Sequence, residues 1–294
     1  MSTSVETSPL QSPAITPDAQ RAAFARRRRL RTGLLLALMT LIAVVMLYPF
    51  FFMIETSFKS ENQFVNGTGG FSLSSWSQLA QALPWAREML NSTIVCACAI
   101  AIILAVSTTA GFAFAKLRFR MSNYILTGIV AAMLVPIQSI VIPLYVNAAH
   151  LHLVNSYFGA VIIYAAIGTP FATFLMTAYY RSLPDEVIEA AIIDGAHYFG
   201  VFRRVALPMS IPALVTIAVL QFIQIWDDLL VGLLFLQNPS ERTITVGLGA
   251  LAAGRTTNIP VLMAGSLVSA IPAVVVFLIF QRFLTTGLTA GVSR

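Results

Sequence analysis

The side chains able to do chemistry in this sequence fall in two places. Within one apolar run, Gln221, Gln224 and Asp228 recur at i, i+3 and i+7 beside Trp226 and Asp227. On a helix the three lie within about 60° of one another, a polar stripe that could exchange hydrogen bonds with a passing solute, with Trp226 adding an aromatic face. Polar groups inside an apolar run are costly and are therefore candidates for function. Gln138, between Pro136 and Pro143 in an earlier run, is a further candidate for the same path. The second place is the segment 181–208, RSLPDEVIEAAIIDGAHYFGVFRRVALP, which carries seven charges between two long apolar runs. Catalysis fits neither place. Asp227 and Asp228 are adjacent, so on a helix they point about 100° apart and do not face each other as an acid/base pair must. Cys96 and Cys98 lie two apart on a helix and so point to different faces, which suits apolar packing rather than a metal or a disulfide. His150, His152 and His197 make no cluster, and no HExxH, GxSxG or GxxxxGK[ST] occurs. The sequence thus offers no catalytic set and no metal set, and any ATP that is used must be bound by another chain.

The elements that must position these residues follow from composition. Of 294 residues, 57% are hydrophobic and only 10% charged, with a mean hydropathy of +0.82. Soluble domains carry about 25% charge, so the chain reads as an all-α integral membrane protein. Apolar runs of about 20 residues, enough to cross about 30 Å of hydrocarbon as helix, occur at 33–53, 92–115, 123–146, 157–179, 209–236 and 261–283. Six transmembrane helices put both termini on one side. With that side cytoplasmic, 14 of the 18 Lys and Arg residues lie inside, and without the six arginines of the tail the balance is still 8 to 4. The net charge of +6 therefore reflects topology, not a nucleic-acid surface. Residues 1–31 start Ser/Thr/Pro-rich and end in RRRRLR, which reads as a disordered basic cytoplasmic tail ahead of an uncleaved signal anchor. The six-helix domain then occupies 32–294. Prolines 136, 143, 170, 212 and 272 predict kinks within it.

The segment 181–208 cannot be a seventh span. Its five charges between 186 and 206 would cost about 3 kcal/mol each at mid-membrane, leaving a deficit on the order of 10 kcal/mol after its apolar residues are counted. Local signals predict two short helices instead. Ser182 caps the first, Pro184 opens it, Asp185 and Glu186 sit at its positive end, and Gly195 ends it. A second helix runs over about 197–205, with Arg203 and Arg204 in its last turn and Pro208 closing it. Ile188, Ala191, Ile192 and Gly195 share one narrow face that a partner surface could approach. Pattern alone leaves two readings open, an interfacial helix resting on lipid headgroups or a dock for another protein.

The run Glu189-Ala190-Ala191, then three residues, Gly195, nine residues, Val205, one residue and Leu207-Pro208 resembles the EAA loop of permease subunits in ATP-binding-cassette importers, with Val205 where the family has Ile. FAFAKLRF (112–119), MLVPIQSIVIPLY (133–145), WDDLLVGLLFL (226–236), ITVGL (244–248) and QRFLTTGLTAG (281–291) are similar to the carbohydrate-importer branch, specifically its maltose-permease G-type subunits. Trp226-Asp227 departs from the family's Trp-Asn. The resemblance implies that 181–208 is a coupling helix docking on a separate ATPase dimer, which binds the ATP and Mg. Glu189 then orients or pairs in the dock, Ala190 and Ala191 allow close approach, and Gly195 makes the bend. Arg203 and Arg204 meet acidic groups of the ATPase or lipid headgroups. It further implies an F-type second permease subunit, an extracytoplasmic solute-binding protein, a carbohydrate cargo, and a bacterial or archaeal plasma membrane. Asp228 lies about 27 Å along the fifth span from Ser210, so Asp227 and Asp228 are either solvated at the outer mouth or line the path. The competing readings are an importer for a non-sugar solute, an autonomous secondary transporter, for which no internal repeat is evident, and an intramembrane enzyme, for which no facing dyad is evident.

Overall fold

The computed structural model describes residues 17–117, 119–254 and 258–289, with side chains described over 28–117, 119–254 and 258–283. Among the described residues every regular element is helical. The chain divides into two units, Met1–Phe52 and Met53–Arg294.

The first unit is built on helix α1 (Pro17–Ser57). Residues 17–31 are therefore helical, contrary to the disordered tail expected from composition, and 1–16 lie outside the described residues. The physical reason is propagation: once the apolar run is helical, each added Ala, Arg or Gln gains one bond without a new nucleation cost. Pro17 also suits a first helical position.

The second unit continues with α2 (Glu61–Val65), held by a capping box in which Ser60 and Gln63 serve each other's backbone, and α3 (Ser74–Ala82). Next come α4 (Trp85–Lys116), α5 (Ser122–Ala132), α6 (Ile137–His150) and α7 (Tyr157–Ser182). The charged segment holds α8 (Asp185–Ile193), α9 (Tyr198–Val201), a π-helical turn (Phe202–Ala206) and α10 (Leu207–Met209). Helices α11 (Ile211–Trp226), α12 (Leu230–Phe235), α13 (Ile244–Ala252) and α14 (Ile259–Thr289) complete the chain.

Among the described residues, four helices are long and apolar enough to cross a membrane unbroken, and the count reaches six if each of two bent pairs is one span. Both bent pairs break at or beside prolines that predict kinks, Pro136 and Pro212, and the bends are sharp enough to divide each run into separate helices. The run 123–146 divides into α5 and α6, bent by 95°, where Pro136 stands as N-cap of α6 and biases the preceding residue away from helix. The run 209–236 breaks twice. At Ser210 the helix turns by 71° into α11, with Pro212 in the first turn. At Asp227 α11 stops after about 24 Å, short of the hydrocarbon thickness, and α12 restarts three residues on. Pro143, Pro170 and Pro272 stay inside helices.

The core is the α4–α7 pair, and small residues bring the two backbones together. A Cβ on Gly111 would stand 2.7 Å from the Met176 Cβ and 3.0 Å from the Thr177 nitrogen, while Ala99, Ala160 and Ala172 are fully buried. Where lipid is as apolar as the side chains, such close packing is what holds helices to each other. Helix α14 packs on α11, where the Trp226 indole donates to Ser269 O at 3.0 Å and the Thr216 hydroxyl to Phe283 O at 2.9 Å.

Candidate functional site

The charged segment is a folded knob on the last turns of α4 and α7. Ser182 does not cap α8: its hydroxyl donates back to Tyr179 O at 2.7 Å and closes α7, leaving Pro184 as an N-cap without a side-chain bond. The backbone at that junction is held by Lys116, which donates to Leu183 O at 2.7 Å and to the Asp185 carboxylate at 2.6 Å. Gly195 ends α8 at φ +88°, a conformation costly for a residue with a Cβ. The second helix does not close at Pro208 but runs from Tyr198 to Met209 through the π turn. That wider turn, closed by Leu207 N donating to Phe202 O, accommodates a proline ring that would collide with the preceding turn of a regular α-helix.

The face of α8 that looks outward is not the one the pattern of small residues suggests. Ile188 is 5% exposed and belongs to the core with Val201, Phe202 and Ala206, and Ala191 is half-buried. The opposite side presents Glu186, Glu189, Ala190 and Ile193, the last 84% exposed, followed by exposed Tyr198 and Phe199. Both sides of α8 carry an isoleucine, so apolar spacing alone cannot say which one meets the rest of the chain. Arg203, Arg204 and Pro208 are exposed and Leu207 is half-buried.

The polar stripe also forms differently from expectation. Asp228 lies beyond the end of α11 and folds over it, its Oδ2 accepting from the Tyr164 hydroxyl at 2.9 Å, Val231 N at 2.8 Å and Gly232 N at 3.4 Å. A carboxylate serving backbone groups this way favours a break over continued helix, which is why the run splits here. Asp228 still meets Gln221 and Gln224 around one cavity of about 60 Å³, with Tyr164, Gly168 and Ile137 in its wall. The Gln221 side chain is buried, and its Nε2 has no hydrogen-bond partner among the described residues. The other candidates are elsewhere. Trp226 is 2% exposed, stacked on Phe222 at 5.1 Å and tied to α14, so its ring is not offered to a solute. Asp227 and Gln138 are exposed and do not line the cavity.

Sequence reasoning missed a buried cluster at the other end of α4. Asn91 donates to Ser240 O at 3.1 Å and Arg242 O at 2.8 Å and accepts from the Tyr157 hydroxyl at 2.8 Å. Ser92 accepts from Ile244 N at 2.9 Å, and the buried Glu88 fills the space a Cβ on Gly247 would need. Together they strap the segment 240–247 onto α4. The available signal was Glu88, Asn91 and Ser92 at i, i+3 and i+4 on the edge of an apolar run.

Residues 107–290, more than half of the chain, match the family described as binding-protein-dependent transport system inner membrane component. The chain belongs to this family. It is therefore a transport component of a membrane-bound ABC system rather than an enzyme. Relatives agree over most of the length of this inner membrane component. A Caldicellulosiruptor sp. protein named as an ABC transporter permease, ORF2, is 30% identical over 261 residues, 87% of this chain and 94% of that one. The arabinooligosaccharides transport system permease protein AraQ of Halalkalibacterium halodurans is 32% identical over 68% of this chain and 71% of its own. A chain of a bacterial ABC transporter involved in the import of the acidic polysaccharide alginate shares the fold, with a TM-score of 0.75 over 94% of this chain and 99% of that chain at 21% identity. The matched stretch of the inner membrane component contains both the knob and the Asp228 cavity, whereas Glu88, Asn91 and Ser92 precede it.

Proposed function

We propose that this inner membrane component forms half of the translocation path for a sugar or oligosaccharide in an ATP-driven importer. An extracytoplasmic binding protein delivers the solute, and the 181–208 loop couples the path to a separate ATPase dimer that binds ATP and Mg. The observation that carries the reading is the outward side of α8, where Glu186 and Glu189 flank Ala190 and the 84% exposed Ile193. A helix resting on lipid turns its apolar side down and carries Lys and Arg on its polar side. Carboxylates beside an exposed isoleucine are instead repelled by anionic headgroups and suit a protein cleft. Arg203 and Arg204, next to the re-entry at α11, are assigned to headgroup phosphates.

The Lys and Arg distribution supports cytoplasmic termini and a cytoplasmic loop. Carbohydrate as cargo is supported by the relative named as an arabinooligosaccharides transport system permease. The cavity of about 60 Å³ beside Asp228 has room for a few waters, against roughly 300–1,000 Å³ for a small-molecule pocket. The path for a sugar is therefore completed by a second, F-type-like permease subunit, and it widens when closure of the ATPase dimer displaces the spans in an alternating-access cycle.

Mild-detergent purification of the tagged protein from its native membrane tests this reading. Wild type is expected to bring down a nucleotide-binding ATPase and a second multi-span protein, and Glu189→Lys to lose the ATPase selectively. Recovery of the wild-type chain alone after cross-linking contradicts it.

A further inference from the structure

We propose that Lys116, Tyr179 and Tyr180 are positioning residues that clamp both ends of the 181–208 knob to the α4–α7 pair, so that a push on α8 moves the two spans as one body. This rests on the coupling reading above. The knob joins the membrane helices through two non-helical joints, Leu183–Pro184 at its entry and the break at Ser210 at its exit, where the chain turns by 71°. Left alone, each joint would bend under load.

Side chains from the last turns of the two spans hold each joint. At the entry, the Lys116 side chain is only 5% exposed and reaches both Leu183 O and Asp185. At the exit, the Tyr179 hydroxyl donates to Met209 O at 2.7 Å, and the fully buried Tyr180 hydroxyl meets the Ser210 hydroxyl at 3.1 Å, which itself reaches Leu207 O at 2.8 Å. The two clamps are joined internally. Phe112, one turn above Lys116 on α4, lies edge-on to Tyr180 at 5.7 Å and 5.3 Å from Phe202 of the knob. Above them α4 and α7 are in backbone contact at Gly111. Leu183 O and Met209 O are helix-end carbonyls that lack the next turn's amide. Each is bonded by a span side chain across the joint, which ties the bond to both bodies at once.

The test uses the complex as purified with its co-purifying ATPase. Nitroxide labels are placed at Asp194 on the knob and at exposed Leu90 on the far end of α4, with Cys98→Ala as background. Their separation is measured by pulsed EPR without nucleotide and after trapping with ATP, Mg and vanadate. Wild type is expected to give one narrow distance that is the same in both states. Lys116→Met with Tyr179→Phe is expected to keep the ATPase bound yet shift or broaden that distance on trapping by about 1–2 Å or more, the scale of helix displacements in switching proteins. Lys116→Arg, which retains the charge and the donors, is expected to behave as wild type. A double variant whose distance stays narrow and constant overturns the clamp, as does a wild-type distance that already changes. A Glu189→Lys variant that keeps its ATPase overturns the coupling reading instead, so the two failures are separable.

Discussion

At the scale of single residues, the chain uses its few polar side chains inside the membrane mainly to hold backbone. Asp228 illustrates this, with the Tyr164 hydroxyl and two amides of α12 on one carboxylate oxygen. Asp228→Ala leaves those donors unpaired in a half-buried site and is expected to cost about 1–3 kcal/mol, read as a lower unfolding temperature of the purified protein in detergent. Asp228→Asn keeps an acceptor oxygen and should lose clearly less. Equal losses in the two variants would mean that the charge, not the cap, matters at this position. The sequence shows Gln221, Gln224 and Asp228 as one group, and they do share a cavity. The geometric reason differs, because a helical stripe requires a continuous helix and Asp228 itself ends that helix. Trp226 was misplaced for a related reason: its ring packs on Phe222 and its indole nitrogen finds Ser269 O, a partner 43 residues away, and no local pattern reports such a contact.

At the scale of elements, the two short helices of the charged segment are legible from Pro184, the acidic first turn and Gly195. The outward face of α8 is not, since it depends on whether Ile188 or Ile193 meets Val201 and Phe202. Pro136 and Pro212 signal kinks in the third and fifth spans, but neither the size of the bends, 95° and 71°, nor the stop at Asp227 is legible, because apolar runs register only length and composition. The hinge at Gly195 gives a sharp expectation. Its φ of +88° is out of reach for proline, which is locked near about −65°, and its amide also donates to Ile192 O at 2.9 Å. Gly195→Pro is expected to abolish solute uptake while leaving the amount of protein in the membrane fraction unchanged. Normal uptake by a stably inserted Gly195→Pro variant would remove this bend from the coupling account.

At the scale of the whole molecule, composition alone identifies a membrane protein, and the family match places it in an inner-membrane transport system. What composition cannot show is how force enters the chain. Under the proposed coupling, force enters on one side of one short helix, and a photo-activated cross-linker in native membranes tests that most directly. Attached to a cysteine at Ile193, exposed on the outward face, it is expected to capture a nucleotide-binding ATPase. Attached at Ile188, which faces the core at 5% exposure, it is expected to yield only cross-links within the chain. Capture of the ATPase from position 188, or capture of lipid alone from position 193, would contradict the account.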